Sequence, residues 1–144
     1  MREDKIGEIK CPSVRGAARW IYEFCKGAEE KGYETHCDLT RVAFIPMKTI
    51  GTIQPKYYEK PVEIKQWLLI TNPSLLGFGG KENCMVVEVM FRDNPPYRGG
   101  YDAFRFADLP KEKQEEIKRE VKSFIENVLK SRKLPKEAQC EILI

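Results

Sequence analysis

The residues that could do chemistry fall into four groups, and each implies a different chemistry. Cys11-Pro12-Ser13-Val14-Arg15-Gly16 puts a thiol just ahead of a helix. A helix N-terminus with Arg15 and Arg19 nearby would favour a thiolate. A phosphatase-type cradle, however, needs an arginine where this chain has Ala17. Cys11 is therefore a weak catalytic candidate. The plainer reading is a loop thiol beside a capped helix.

His36 is the single histidine. Its neighbour Cys37 projects to the opposite side of a strand, which argues against a Cys–His dyad. Glu34, His36 and Asp38 share a face, about 7 Å apart at alternate positions. They are weak candidates for a metal site, because a strand sets them in a line and only adjacent members converge. One histidine excludes a two-histidine site within the chain. No Gly-x-Ser-x-Gly elbow accompanies it.

Gly77-Phe78-Gly79-Gly80-Lys81 superficially suggests phosphate binding. Glu82 follows Lys81, and a strand follows where a phosphate loop needs a helix N-terminus. The stretch reads as a hairpin loop, with Phe78 flanked by Leu75 and Leu76 as a contact point for a partner.

The fourth group is a surface. In a meander, Trp67, Glu88, Met90, Arg92, Tyr101 and Arg105 fall on the outer face of a sheet, and Tyr97 and Arg98 extend it from a loop. Aromatic and arginine side chains on a sheet bind protein partners, and they also stack bases and hold phosphates. The expected binding surface is thus Trp67, Phe78, Arg92, Tyr97, Arg98, Tyr101 and Arg105.

These residues need elements to carry them. Val62 to Thr71 and Cys84 to Arg92 are the most apolar strands. Val62, Ile64, Leu68 and Ile70 point one way on the first, and Met85, Val87, Val89 and Phe91 do so on the second. Lys5 to Lys10 predicts a weak strand. Ser13 can cap a helix running to about Lys31. Val14, Ala17, Ala18, Ile21, Phe24, Cys25 and Ala28 form its apolar stripe, and Gly32 suits its left-handed end. Tyr33 to Pro46 predicts one strand whose alternation changes phase near Thr40-Arg41, as at a bulge or bend. Thr49 to Ile53 extends the sheet, and Pro55 and Pro61 bracket a loop. Asp93 to Gly100 is a loop on composition, followed by a strand from Tyr101 to Ala107. Asp108 caps a second helix with Pro110 in its first turn. Ile117, Val121, Phe124, Ile125, Val128 and Leu129 make its stripe. Ala138 to Ile144 predicts a closing strand.

This order predicts one α+β domain over 1–144, an antiparallel sheet of about four to six strands with two amphipathic helices on one face. The alternative is a curved sheet wrapped around the C-terminal helix. The 42% apolar and 33% charged content suits a globular chain, and a net charge of +3 does not demand a polyanion. Lys and Glu dominate the charged set, which leans toward a warm source, while the five cysteines pull the other way. Five cysteines, with no Cys-x-x-Cys pair, predict reduced, mostly buried thiols and no disulfide framework. The charged start and the absence of a long apolar run predict a cytoplasmic protein away from the membrane.

The function expected is a binding module acting through protein–protein contacts on a sheet face and loop tips, self-association included, with no cofactor. A single-stranded nucleic-acid binder is the alternative. A small thiol- or carboxylate-dependent enzyme is the third class.

Overall fold

A computed structural model describes residues 4–38, 40–73 and 83–144. The glycine-rich stretch with Phe78, and Leu39, lie outside the described residues. Among those described, seven strands and two helices follow the order β1 (Lys5–Lys10), α1 (Val14–Glu30), β2 (His36–Asp38), β3 (Val42–Ile53), β4 (Val62–Thr71), β5 (Cys84–Arg92), β6 (Asp102–Arg105), α2 (Lys111–Leu129) and β7 (Glu141–Leu143). The strands form one antiparallel sheet in the order β2-β3-β4-β5-β1-β7, and β6 pairs with the second half of β5. This is an α+β fold with more strands than the sequence predicts. The extra strand comes from Tyr33 to Pro46, where the phase change is a chain reversal, not a bulge. His36–Asp38 turns back on Val42–Phe44, and the Arg41 amide donates to the Asp38 carbonyl at 2.9 Å.

Alternation decides what each face of the sheet does. Ala43, Ile45, Ile64, Leu68, Ile70, Met85, Val87, Val89 and Phe91 share a buried cluster with Trp20, Ile21 and Phe24 of α1 and Ile117, Val121, Ile125 and Val128 of α2. On the opposite face, Val42, Phe44, Leu69, Thr71, Val86, Glu88 and Met90 stay outside that cluster and line the cavity described below. The helix ends follow local chemistry. The Gly16 amide donates to Ser13 Oγ at 2.9 Å, and Gly32 closes α1 at a φ of 89°. At α2 the expected cap is displaced. Asp108 lies in a 3-10 turn, Phe106–Asp108, and Pro110 holds the N-cap position without a side-chain bond.

Two disulfides overturn the expectation of reduced cysteines. Cys11 is bonded to Cys140 and Cys25 to Cys37. Register explains the first. β1 and β7 pair Glu8 with Leu143, Ile9 with Ile142 and Lys10 with Glu141, so the next residues facing each other are Cys11 and Cys140, with Cα atoms 4.3 Å apart. No local motif announces such a pair, since the partners are 129 residues apart. Cys84 remains a free, buried thiol.

The α1–α2 layer is closed by an ion-pair network around the buried Glu23. Glu23 receives Arg19 Nε at 3.0 Å and Arg132 Nη2 at 2.7 Å, and Arg132 also reaches Glu30. Burial pushes the Glu23 carboxyl up, but the Arg132 and Arg19 bonds and charges outweigh it, so the group is held below its usual range. Its stabilising contribution is therefore full above the ordinary carboxylate pKa and is lost as pH falls through the lowered folded value. Arg132→Ala leaves a buried carboxylate with Arg19 as its remaining partner. Urea unfolding near neutral pH should show a loss of about 2 kcal/mol. The gap to wild type should close as pH falls through the lowered folded value, where Glu23 becomes protonated in both proteins. A gap that persists there would mean that Arg132 acts through packing.

Candidate functional site

The outer face of the sheet is not an open platform. Three cross-strand rows build its floor: Val42–Thr71–Val86, Phe44–Leu69–Glu88 and Pro46–Trp67–Met90. Because side chains alternate, each row contributes neighbours on the same face. Over them sits a cavity of about 560 Å3, walled by Pro73 on one side and Pro96 and Tyr97 on the other. A second depression of about 370 Å3 shares Val42, Phe44 and Tyr97 and is bounded by His36, Cys37 and Asp38.

The loop between β5 and β6 holds the wall in place. Arg92 is 7% exposed and organises this loop. Its Nη1 donates to the carbonyls of Pro95 at 2.8 Å and Arg98 at 3.0 Å, and its Nε to Asp102 at 3.0 Å. Asp93 Oδ1 accepts the amides of Asn94 and Tyr101. Asn94 Nδ2 donates to the Gly99 carbonyl. A Cβ at Gly100 would overlap Asp93 Oδ1, so the tight loop needs glycine there. Pro96 and Tyr97 are thereby fixed above the floor.

The expected site residues thus take different stations. Trp67 stands in a row with Met90 on this face but is only 1% exposed and does not line the cavity. Its indole N–H donates to the Arg92 carbonyl at 3.2 Å, and its ring meets His36 edge-on at 5.5 Å. Tyr97 is 63% exposed at the rim. Arg98 is exposed beside it, and Arg105 pairs in register with Met90. Tyr101 packs on the helix-side core and against Tyr58 at 5.9 Å, away from the expected outer face. Phe78 lies outside the described residues. Cys11, bonded to Cys140, has no thiol to ionise.

His36 belongs to this site by contact. Its Nδ1 is 3.0 Å from the Tyr97 hydroxyl, and its Nε2 is 3.5 Å from Glu34 Oε1. Asp38 pairs with Arg41 at 3.3 Å. The Glu34, His36 and Asp38 line therefore does not converge, and among the described residues no group of three such side chains could hold a metal ion.

Alternation did not single out the cavity residues Val42, Phe44, Thr71, Pro73, Val86 and Pro96. Finding them requires the β3–β4–β5 register. Glu88 was visible on the outer face, but as part of a partly solvated surface and not as a 1% exposed carboxylate in a cavity floor.

Comparison with known proteins finds no match: no family model, curated protein or solved structure is significantly similar to this chain.

Proposed function

We propose that this protein is a small-molecule-binding module whose site is the outer-face cavity. The observation that carries the reading is the cavity itself, of about 560 Å3 and walled mainly by apolar side chains. Ligand sites commonly fall in the range of about 300–1,000 Å3, with apolar walls and a few polar groups. The Arg92-centred loop supports the reading, because a pre-formed wall lowers the ordering cost of binding.

Titration with the neutral dye Nile red tests it. Saturable one-to-one emission is expected in the wild type. Val86→Trp, which fills the floor, should weaken binding by about tenfold or more while the thermal midpoint is retained. Emission that does not saturate, or that ignores Val86→Trp, would overturn the reading.

Protein contact through the same face is the second reading, favoured by Tyr97 standing exposed with Arg98 at the rim. Self-association would show as a concentration-dependent solution mass that Tyr97→Ala abolishes. The single-stranded nucleic-acid alternative loses Arg92 to the loop carbonyls and Asp102, and its check is salt-sensitive binding of labelled oligonucleotides. Among the described residues no helix is long and apolar enough to cross a membrane. The cytoplasmic placement proposed here carries a condition. The compartment must keep both disulfides oxidised, as the cytoplasm of hyperthermophiles does.

A further inference from the structure

Resting on the cavity reading above, we infer that the ligand is an uncharged aromatic molecule carrying a hydroxyl group, its ring along Phe44, Met90 and Tyr97 and its hydroxyl on that of Thr71. Three separate features of the site carry that chemistry.

The first is a buried hydroxyl with no partner. Thr71 ends β4, is 8% exposed and lines the cavity. Its row neighbours, Val42 and Val86, have only apolar side chains. Among the described residues the Thr71 hydroxyl makes no hydrogen bond. The other hydroxyl of the lining, on Tyr97, is engaged by His36 Nδ1 at 3.0 Å, whichever ring nitrogen carries the proton. A hydroxyl taken out of water without a hydrogen bond costs stability. A valine there would avoid that cost and suit a strand as well. A ligand hydroxyl supplies the missing bond in either direction, because both groups donate and accept.

The second is charge. Among the described residues lining the cavity, Glu88 is the one formally charged side chain, and no Lys, Arg or His joins it. Glu88 is 1% exposed and is engaged within the protein. An anionic ligand would therefore meet a carboxylate with no cation in the lining. A cationic ligand would have to compete for a carboxylate that already has a partner. Either ion would give up its hydration for little return, whereas a neutral ligand gives up almost none.

The third is the kind of apolar surface. The Phe44 and Tyr97 rings stand with centroids 6.2 Å apart and planes tilted by 31°, and both line the cavity. The Met90 thioether and the Pro96 ring complete that side. Aromatic edges and faces and a polarisable sulfur favour another aromatic ring over a saturated one of the same size.

The experiment is calorimetric titration near neutral pH with matched probes: naphthol, naphthalene, decahydronaphthol, naphthoate and naphthylmethylamine. Naphthol should bind the wild type about fivefold tighter than naphthalene or decahydronaphthol, and at least about tenfold tighter than either charged probe. Thr71→Val should bring naphthol to within about twofold of naphthalene and leave naphthalene unchanged. A charged probe or decahydronaphthol that binds as tightly as naphthol overturns the inference and leaves the cavity reading standing. So does a naphthol advantage that survives Thr71→Val, and so does saturable Nile red binding with no probe bound. Failure of the dye and of every probe overturns both. The wild-type series decides even where Thr71→Val does not fold.

Discussion

Replacing Cys11 and Cys140 with alanine is expected to lower the unfolding free energy by about 4–5 kcal/mol, the largest loss from any single covalent tie in the protein. The bridge joins residues 129 apart, so it closes nearly the whole chain into a ring. Loop-closure entropy grows with the logarithm of ring size, and the denatured ensemble loses most when the ring is long. Cys25–Cys37 spans only 12 positions, and its removal should cost about 3 kcal/mol or less. Native contacts point the same way. β7 is three residues long and, among the described residues, pairs with β1 alone, so the C-terminal segment depends on its covalent anchor. Guanidinium midpoints of the two paired-alanine variants, measured against wild type, check the order. Wild type in excess reductant should fall to or below the Cys11→Ala/Cys140→Ala value. A smaller loss for the long bridge than for the short one would show that residual structure already holds the chain ends together in the denatured state.

The parts legible in the sequence are those fixed by local chemistry. The bounds of α1 were readable because a serine cap and a left-handed glycine close it. β4 and β5 were readable because their apolar alternation has one solution. The halves that failed depend on partners distant in sequence. Nothing near Cys11 names Cys140; only the antiparallel register of β1 and β7 does. The phase change at Thr40-Arg41 was visible, but a bulge and a reversal differ only in which strand pairs with which. Alternation along β5 puts Arg92 on the same face as Glu88 and Met90. Its burial could not be read there, because it depends on how Asp93 to Tyr101 folds back over its guanidinium. The same loop, through Pro96 and Tyr97, turns the aromatic sheet face into a cavity, and that cavity supports the ligand-site proposal over a flat protein-contact surface.

Gly16→Ala is expected to destabilise by about 2–4 kcal/mol, although the same change inside an unobstructed helix stabilises by about 0.5–1 kcal/mol. The sign reverses because of what lies above the helix. Gly16 is in the first turn of α1, and the 3-10 turn Lys136–Ala138 crosses it so closely that an added Cβ would overlap the Glu137 carbonyl oxygen. Both sides of that contact are backbone, so no side chain can rotate away, and the strain must be taken up by moving a segment. Gly27 is a milder case, with a Cβ 2.7 Å from the Val128 carbonyl where α1 meets the end of α2. Gly51 is the control, with nothing near its Cβ position, and Gly51→Ala should be nearly neutral in urea unfolding. The segment over Gly16 ends at Cys140, which is tied to Cys11 just before the helix. The disulfide therefore holds the Glu137 carbonyl against Gly16. In a double-mutant cycle the cost of Gly16→Ala should fall by about half once Cys11 and Cys140 are alanine, because the turn is then free to move outward. Additive losses would mean that the turn is held by Ala138 in the core, and that disulfide and close contact act independently.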